Sequence, residues 1–156
     1  MHRGQVETGL LMTPWPVAVG IAAPIAGRLS DRFPAAILGS IGLAILSVGL
    51  LLLACLRADA SALDISWRMM FCGLGFGFFQ SPNNRSLLSA APLDRSGAAA
   101  GMLAMSRLTG QTLGASLTAV IFRIAWINEE ACLIVAAAFA GTAAIASLSR
   151  LGCHTT

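Results

Sequence analysis

From Pro34 to Leu56 the chain carries no charged side chain and, after its first residue, no proline. A helix rising 1.5 Å per residue crosses ~30 Å of hydrocarbon in about 20 residues, so this stretch predicts a membrane-spanning helix. Four more apolar runs accompany it: Gly9 to Gly27, Met69 to Ala91, Gly97 to Phe122 and Ala131 to Ser149. Charges collect in the short gaps between them. Only 11% of residues are charged and 56% are hydrophobic, against roughly 25% charged in a soluble domain. The expected fold class is therefore an all-α membrane protein with about five transmembrane helices, its natural partner the lipid bilayer.

The same distribution excludes other classes. All ten basic residues are arginines, and the net charge of +3 is spread over several loops, which gives no nucleic-acid partner. Cys55, Cys72, Cys132 and Cys153 lie far apart, and His2 and His154 stand at the ends; the cysteines read as packing residues, and no metal site or cofactor is predicted. Gly73, Gly75 and Gly77 lack the spacing and the strand-to-helix context of a phosphate loop. No acid lies within any run, and Glu129 and Glu130 read as a solvated loop. With no nucleophile–base set, carboxylate pair or ligand cluster at membrane depth, no enzyme is expected.

The gaps and the polar positions inside the runs carry the remaining information. Residues Met1 to Thr8 read as a loop stub, and the first run is expected to kink near Thr13-Pro14-Trp15-Pro16. Pro24 to Arg32 reads as a tight membrane-surface turn, with Gly27 where one helix stops, Ser30 and Asp31 as caps of the next, and Pro34 in its first turn. Gly39, Gly42 and Gly49 either admit a neighbouring helix or face lipid. Arg57 to Arg68 is a polar connection with Trp67 as an interfacial anchor. In the third run Gly73, Gly77, Gln80, Asn84 and Leu88 share a helical face that should meet protein or water, and Pro82 kinks the span. Asp94 and Ser96 are candidate caps in the next turn.

The fourth run has two small-x-x-x-small pairs, Gly97/Gly101 and Gly110/Gly114, and a face bearing Arg107, Gln111, Gly114 and Thr118. A charge ten residues inside a span is costly, so Arg107 should face protein or a watered cavity. The alternative is a helix that begins later, with Arg107 snorkelling to the interface.

Three segments resemble one known family. Gly27, Asp31 and Arg32 fit the Gly-x-x-x-Asp-Arg loop of major facilitator superfamily transporters, although Pro34, Ala35 and Ala36 replace its later glycine and basic residues. Gly9 to Trp15, Gly73 to Arg85 and Ser96 to Gly114 resemble, in order and spacing, the fourteen-helix drug:proton antiporter branch. The resemblance covers nearly all of residues 1–156 as a partial C-terminal bundle. It implies a cytoplasmic Asp31 turn in the inner membrane, with the N-terminus outside and the C-terminus inside; the arginines themselves are almost evenly divided. Gly27, Asp31 and Arg32 would form the conformational loop. Gly73, Gly77, Gly97, Gly101, Gly110 and Gly114 would pack helices, and Gln80, Asn84, Arg107 and Gln111 would line the cavity. Such transporters bind substrate between two helical bundles, so the expected partners are a missing N-terminal half, protons, and lipophilic or cationic drugs. The expected role is a C-terminal fragment of a multidrug exporter, not competent alone. The alternative is a small accessory membrane protein that packs against a complete transporter.

Overall fold

The computed structural model describes residues 5–56, 60–125 and 129–152. Among these there is no strand. The helices are α1 (Gln5–Met12), α2 (Pro14–Leu29), α3 (Ala35–Ala54), α4 (Ala62–Ser89), α5 (Ser96–Ala125) and α6 (Glu129–Gly152), with a 3-10 turn at Leu93–Arg95 before α5. His2, Arg3, Arg57, Asp59, Trp126, Cys153 and His154 lie outside the described residues. α1 and α2 adjoin at Thr13 and share the apolar stretch Gly9–Leu29, so the described residues form an all-α bundle of five helical segments. Gly9–Leu29 and Ala35–Ala54 are each long and apolar enough to cross a bilayer by themselves, and Cys132–Ser147 is a shorter apolar stretch.

Prolines and caps set the boundaries. Pro14 lacks an N–H and occupies the first turn of α2, so the segment divides at Thr13, whose hydroxyl donates to Gly9 O at 3.0 Å. The helix also reaches back to Gln5, into the part read as a loop stub. At the other end α2 runs through Gly27 to Leu29. This corrects the expected turn: Ser30 closes α2 rather than capping α3, its hydroxyl donating back to Gly27 O at 2.6 Å. Pro34 stands at the N-cap of α3, and that helix has no side-chain cap.

α4 begins seven residues before the apolar run at Met69 because its cap lies upstream. Ser61 Oγ accepts from Asp64 N at 3.1 Å, and Asp64 in turn accepts from the Ser61 hydroxyl and from Trp67 Nε1. Those hydrogen bonds hold the Asp64 carboxyl below its ordinary 3.8. Trp67 also carries Arg68 over its ring at 5.4 Å. Pro82 sits fully buried inside a helix that continues through it to Ser89.

The core is built from small residues, which lets backbones approach without large side chains between them. α2 and α4 run parallel, meeting along positions that step by four on both helices. At Gly73 a Cβ would stand 2.5 Å from Trp15 O, and at Gly77 one would stand 2.8 Å from the Ala22 methyl. Further along, Ser81 Oγ donates to Ala23 O at 3.0 Å and Arg85 Nη1 to Gly27 O at 3.1 Å. Ala18, Ala22 and Ala26 are buried in this seam.

The opposite side of α4 meets α3 running antiparallel. A Cβ at Gly75 would lie 2.5 Å from Leu46 N, Gly49 faces the buried Cys72, and Arg68 Nη1 donates to Leu52 O. α6 packs on the far side of α3, where Ser47 Oγ donates to Ala137 O at 2.9 Å and Ser147 Oγ to Ala36 O at 3.3 Å. The order across the bundle is therefore α2, α4, α3, α6. α5 stands apart and touches α4 only sparsely.

Candidate functional site

Arg85 gathers the charged loop. One Nη donates to Gly27 O and to Ser30 Oγ, both at 3.1 Å, and the other pairs with Asp31 Oδ1 at 2.6 Å. Both side chains of the ion pair are about half exposed, so water weakens the Coulomb term and the geometry matters more than the charge. The arrangement ties the loop after α2 to the polar end of α4. Gly27 and Asp31 are thus drawn together, while the Arg32 guanidinium is exposed and makes no hydrogen bond or ion pair among the described residues.

Arg85 was not among the predicted site residues, and neither was Ser81. A signal for both was present: they continue the four-residue spacing of Gly73 and Gly77, so they share the face that α2 covers. Gln80 and Asn84 flank that seam and are half-buried. One turn up, Phe76 meets the Trp15 ring with centroids 5.9 Å apart.

The second polar surface lies on α5. Its helix begins at Ser96, so Arg107 lies eleven residues into it, about 16 Å along the axis. Arg107 and Gln111 are exposed. Thr109, Thr112 and Thr118 donate their hydroxyls to Met105 O, Leu108 O and Gly114 O. A Cβ at Gly97, Gly101, Gly110 or Gly114 would have no atom within 4 Å, so these glycines face open space in this chain. An open groove of about 370 Å³ runs along Met105, Leu108, Thr109, Gln111, Thr112 and Ala115. No hydrogen bond or ion pair joins Gln80, Asn84, Arg107 and Gln111 to one another. The bundle holds the first two on a packed helix and the second two on a free one.

The family profile described as Major Facilitator Superfamily matches residues 2–151. The chain belongs to the major facilitator superfamily. It is similar to the uncharacterized transporter YebQ of Escherichia coli (strain K12), with 46% identity over 138 residues, 88% of this chain and 30% of that protein. It is also similar to the riboflavin transporter RibZ of Clostridioides difficile (strain 630), with 32% identity over 114 residues, 73% of this chain and 25% of that one. The multidrug resistance protein Stp of Mycobacterium tuberculosis is 31% identical over 121 residues, 78% of this chain and 22% of its own. No solved structure matches significantly. The chain spans a third or less of the length of these curated relatives.

Membership fixes the setting of the residues described above. The major facilitator chain is an integral membrane protein of a transporter family rather than an enzyme family, and its five helical segments form a partial bundle of that fold.

Proposed function

We propose that these helices work as the C-terminal part of a proton-coupled multidrug exporter of the fourteen-helix branch, with Gln80, Asn84, Arg107 and Gln111 lining its central cavity. The observation that carries this reading is the polar face of α5, which is exposed at mid-helix in a chain 31% identical to a multidrug resistance protein. Side chains that form hydrogen bonds need partners at membrane depth, and a watered cavity between two bundles supplies them. No acid of this chain lies within an apolar run, so the proton-binding carboxylates belong to helices outside it. Gly27, Asp31 and Arg32, with Arg85, form the loop that couples helix movement at the cytoplasmic surface. Gly97, Gly101, Gly110 and Gly114 are the contact points for helices outside the chain.

In this reading the Asp31 turn and the C-terminus are cytoplasmic in the inner membrane, and the N-terminus is outside. Reporter fusions at residues 58–62 should give a periplasmic signal, and a cytoplasmic one reverses the orientation. For function, the chain is coexpressed with a matching N-terminal set of helices and efflux of a lipophilic dye is followed. Restored efflux that disappears in Arg107→Ala at normal protein abundance supports the reading. The accessory-protein alternative rests on the same open face of α5, and it predicts altered efflux by an already complete transporter and none from the coexpressed halves.

A further inference from the structure

The Arg107 face of α5 offers hydrogen-bond donors with nothing to receive them. The side chains of Arg107 and Gln111 make no hydrogen bond or ion pair among the described residues. The two stand one helical turn apart, about 5–6 Å between Cβ atoms. Thr109, Thr112 and Thr118 spend their hydroxyl protons on backbone carbonyls, whereas the guanidinium of Arg107 and the amide of Gln111 do not. Three acids have partners elsewhere: Asp31 pairs with Arg85 at 2.6 Å, Asp94 stands beside Arg95 at 3.9 Å, and Asp64 is bonded to Ser61 and Trp67.

A surface of unspent donors with a fixed positive charge selects acceptors of negative charge. The planar guanidinium fork matches a carboxylate with two parallel hydrogen bonds, and the amide of Gln111 supplies a third donor from the next turn. Gln111 also borders the groove formed with Met105, Leu108, Thr109, Thr112 and Ala115, whose lining is mainly apolar. We propose that Arg107 and Gln111 form a recognition pair for a carboxylate, or a comparable oxyanion, of the transported molecule, whose apolar body lies in that groove. This rests on the reading of α5 as a cavity wall, and it narrows the substrates that this part of the cavity recognises to molecules with an anionic group. A carboxylate of another protein segment has the same chemistry, and the test separates the two sources.

The full chain, coexpressed with the matching N-terminal helices, is reconstituted in phosphatidylcholine nanodiscs, which contribute no anionic lipid, and equilibrium binding of two xanthene dyes is compared. Fluorescein carries a carboxylate, and rhodamine 6G is an esterified cation. Fluorescein is expected to bind saturably and at least tenfold more tightly than rhodamine 6G. Arg107→Gln should weaken fluorescein at least tenfold and leave rhodamine 6G within twofold. Arg107→Lys should retain part of the affinity, because it keeps the charge and loses the fork. Arg95→Gln should bind both dyes as the parent does. If Arg107→Gln fails to reconstitute, Gln111→Leu takes its place, with a loss for fluorescein alone expected. Unchanged fluorescein affinity with a lowered melting temperature assigns Arg107 to a protein carboxylate and overturns the proposal. Equal affinity for the two dyes, lowered by Gln80→Leu or Asn84→Leu, overturns the anion pair and leaves the cavity reading standing. Binding of neither dye overturns both.

Discussion

α4 and α5 are alike in length and in their small-residue spacing, yet one is the most enclosed helix of the bundle and the other the least. Gly73, Gly75 and Gly77 on α4 have backbone atoms of α2 or α3 where a side chain would go, whereas Gly97, Gly101, Gly110 and Gly114 on α5 have open space. The polar residues divide in the same way. On α4, Ser81 and Arg85 find carbonyls of α2 at 3.0 and 3.1 Å; on α5, Arg107 and Gln111 find none. A small-x-x-x-small spacing therefore shows that a backbone can be approached, and the presence of a matching partner decides whether it is. In membranes that partner must contribute contact, because lipid is as apolar as the helices and drives no burial.

The largest effect should come from filling the two kinds of glycine. Gly75→Leu forces a side chain against Leu46 N and should destabilise the chain by about 3 kcal/mol, read as a lower midpoint in detergent unfolding. Gly114→Leu should fall within about 0.5 kcal/mol of the parent. Equal damage from the two would break the comparison, since it would mean that α5 has a close neighbour in the isolated chain.

A smaller effect is expected at the polar end of α4. A double-mutant cycle with Asp31→Asn and Arg85→Gln should give a coupling of about 0.5 kcal/mol, held down by the roughly half-exposed state of both side chains. Arg85→Gln alone should cost more, because it also removes the bonds to Gly27 O and Ser30 Oγ. A coupling of zero together with a silent Arg85→Gln would remove the latch that distinguishes α4 from α5.

The smallest effect lies at the start of α4. Asp64 should titrate below 3.8, and Ser61→Ala should bring it back toward that value in an NMR titration. The sign follows from the lowered folded-state value: the cap's contribution is present above 3.8 and is lost as pH falls through the lower, folded value. An Asp64 that titrates normally would leave α4 without this anchor.

The sequence by itself determined the fold class, the placement of most helix boundaries within a few residues, and the break at Thr13, because each follows from local terms: apolar length, proline and charge; the family was legible only through the resemblance of its motif segments. The uncharged stretch from Pro34 to Leu56 could do little else in a bilayer, and α3 occupies Ala35–Ala54. Where local signals competed, the tertiary structure decided. Ser30 had two helix ends within reach and closed α2, because Gly27 O accepts both its hydroxyl and Arg85. Asp31 found Arg85, 54 residues away (85 − 31), through the register of two parallel helices, which no spacing within either helix specifies. Gly39, Gly42 and Gly49 were undecided between helix and lipid, and all three are buried, with α4 residues the nearest neighbours of each. A residue's periodicity states which neighbours it shares a face with; which helix covers that face depends on the complementary surface elsewhere in the chain. α4 met such surfaces on both sides, and α5 met almost none.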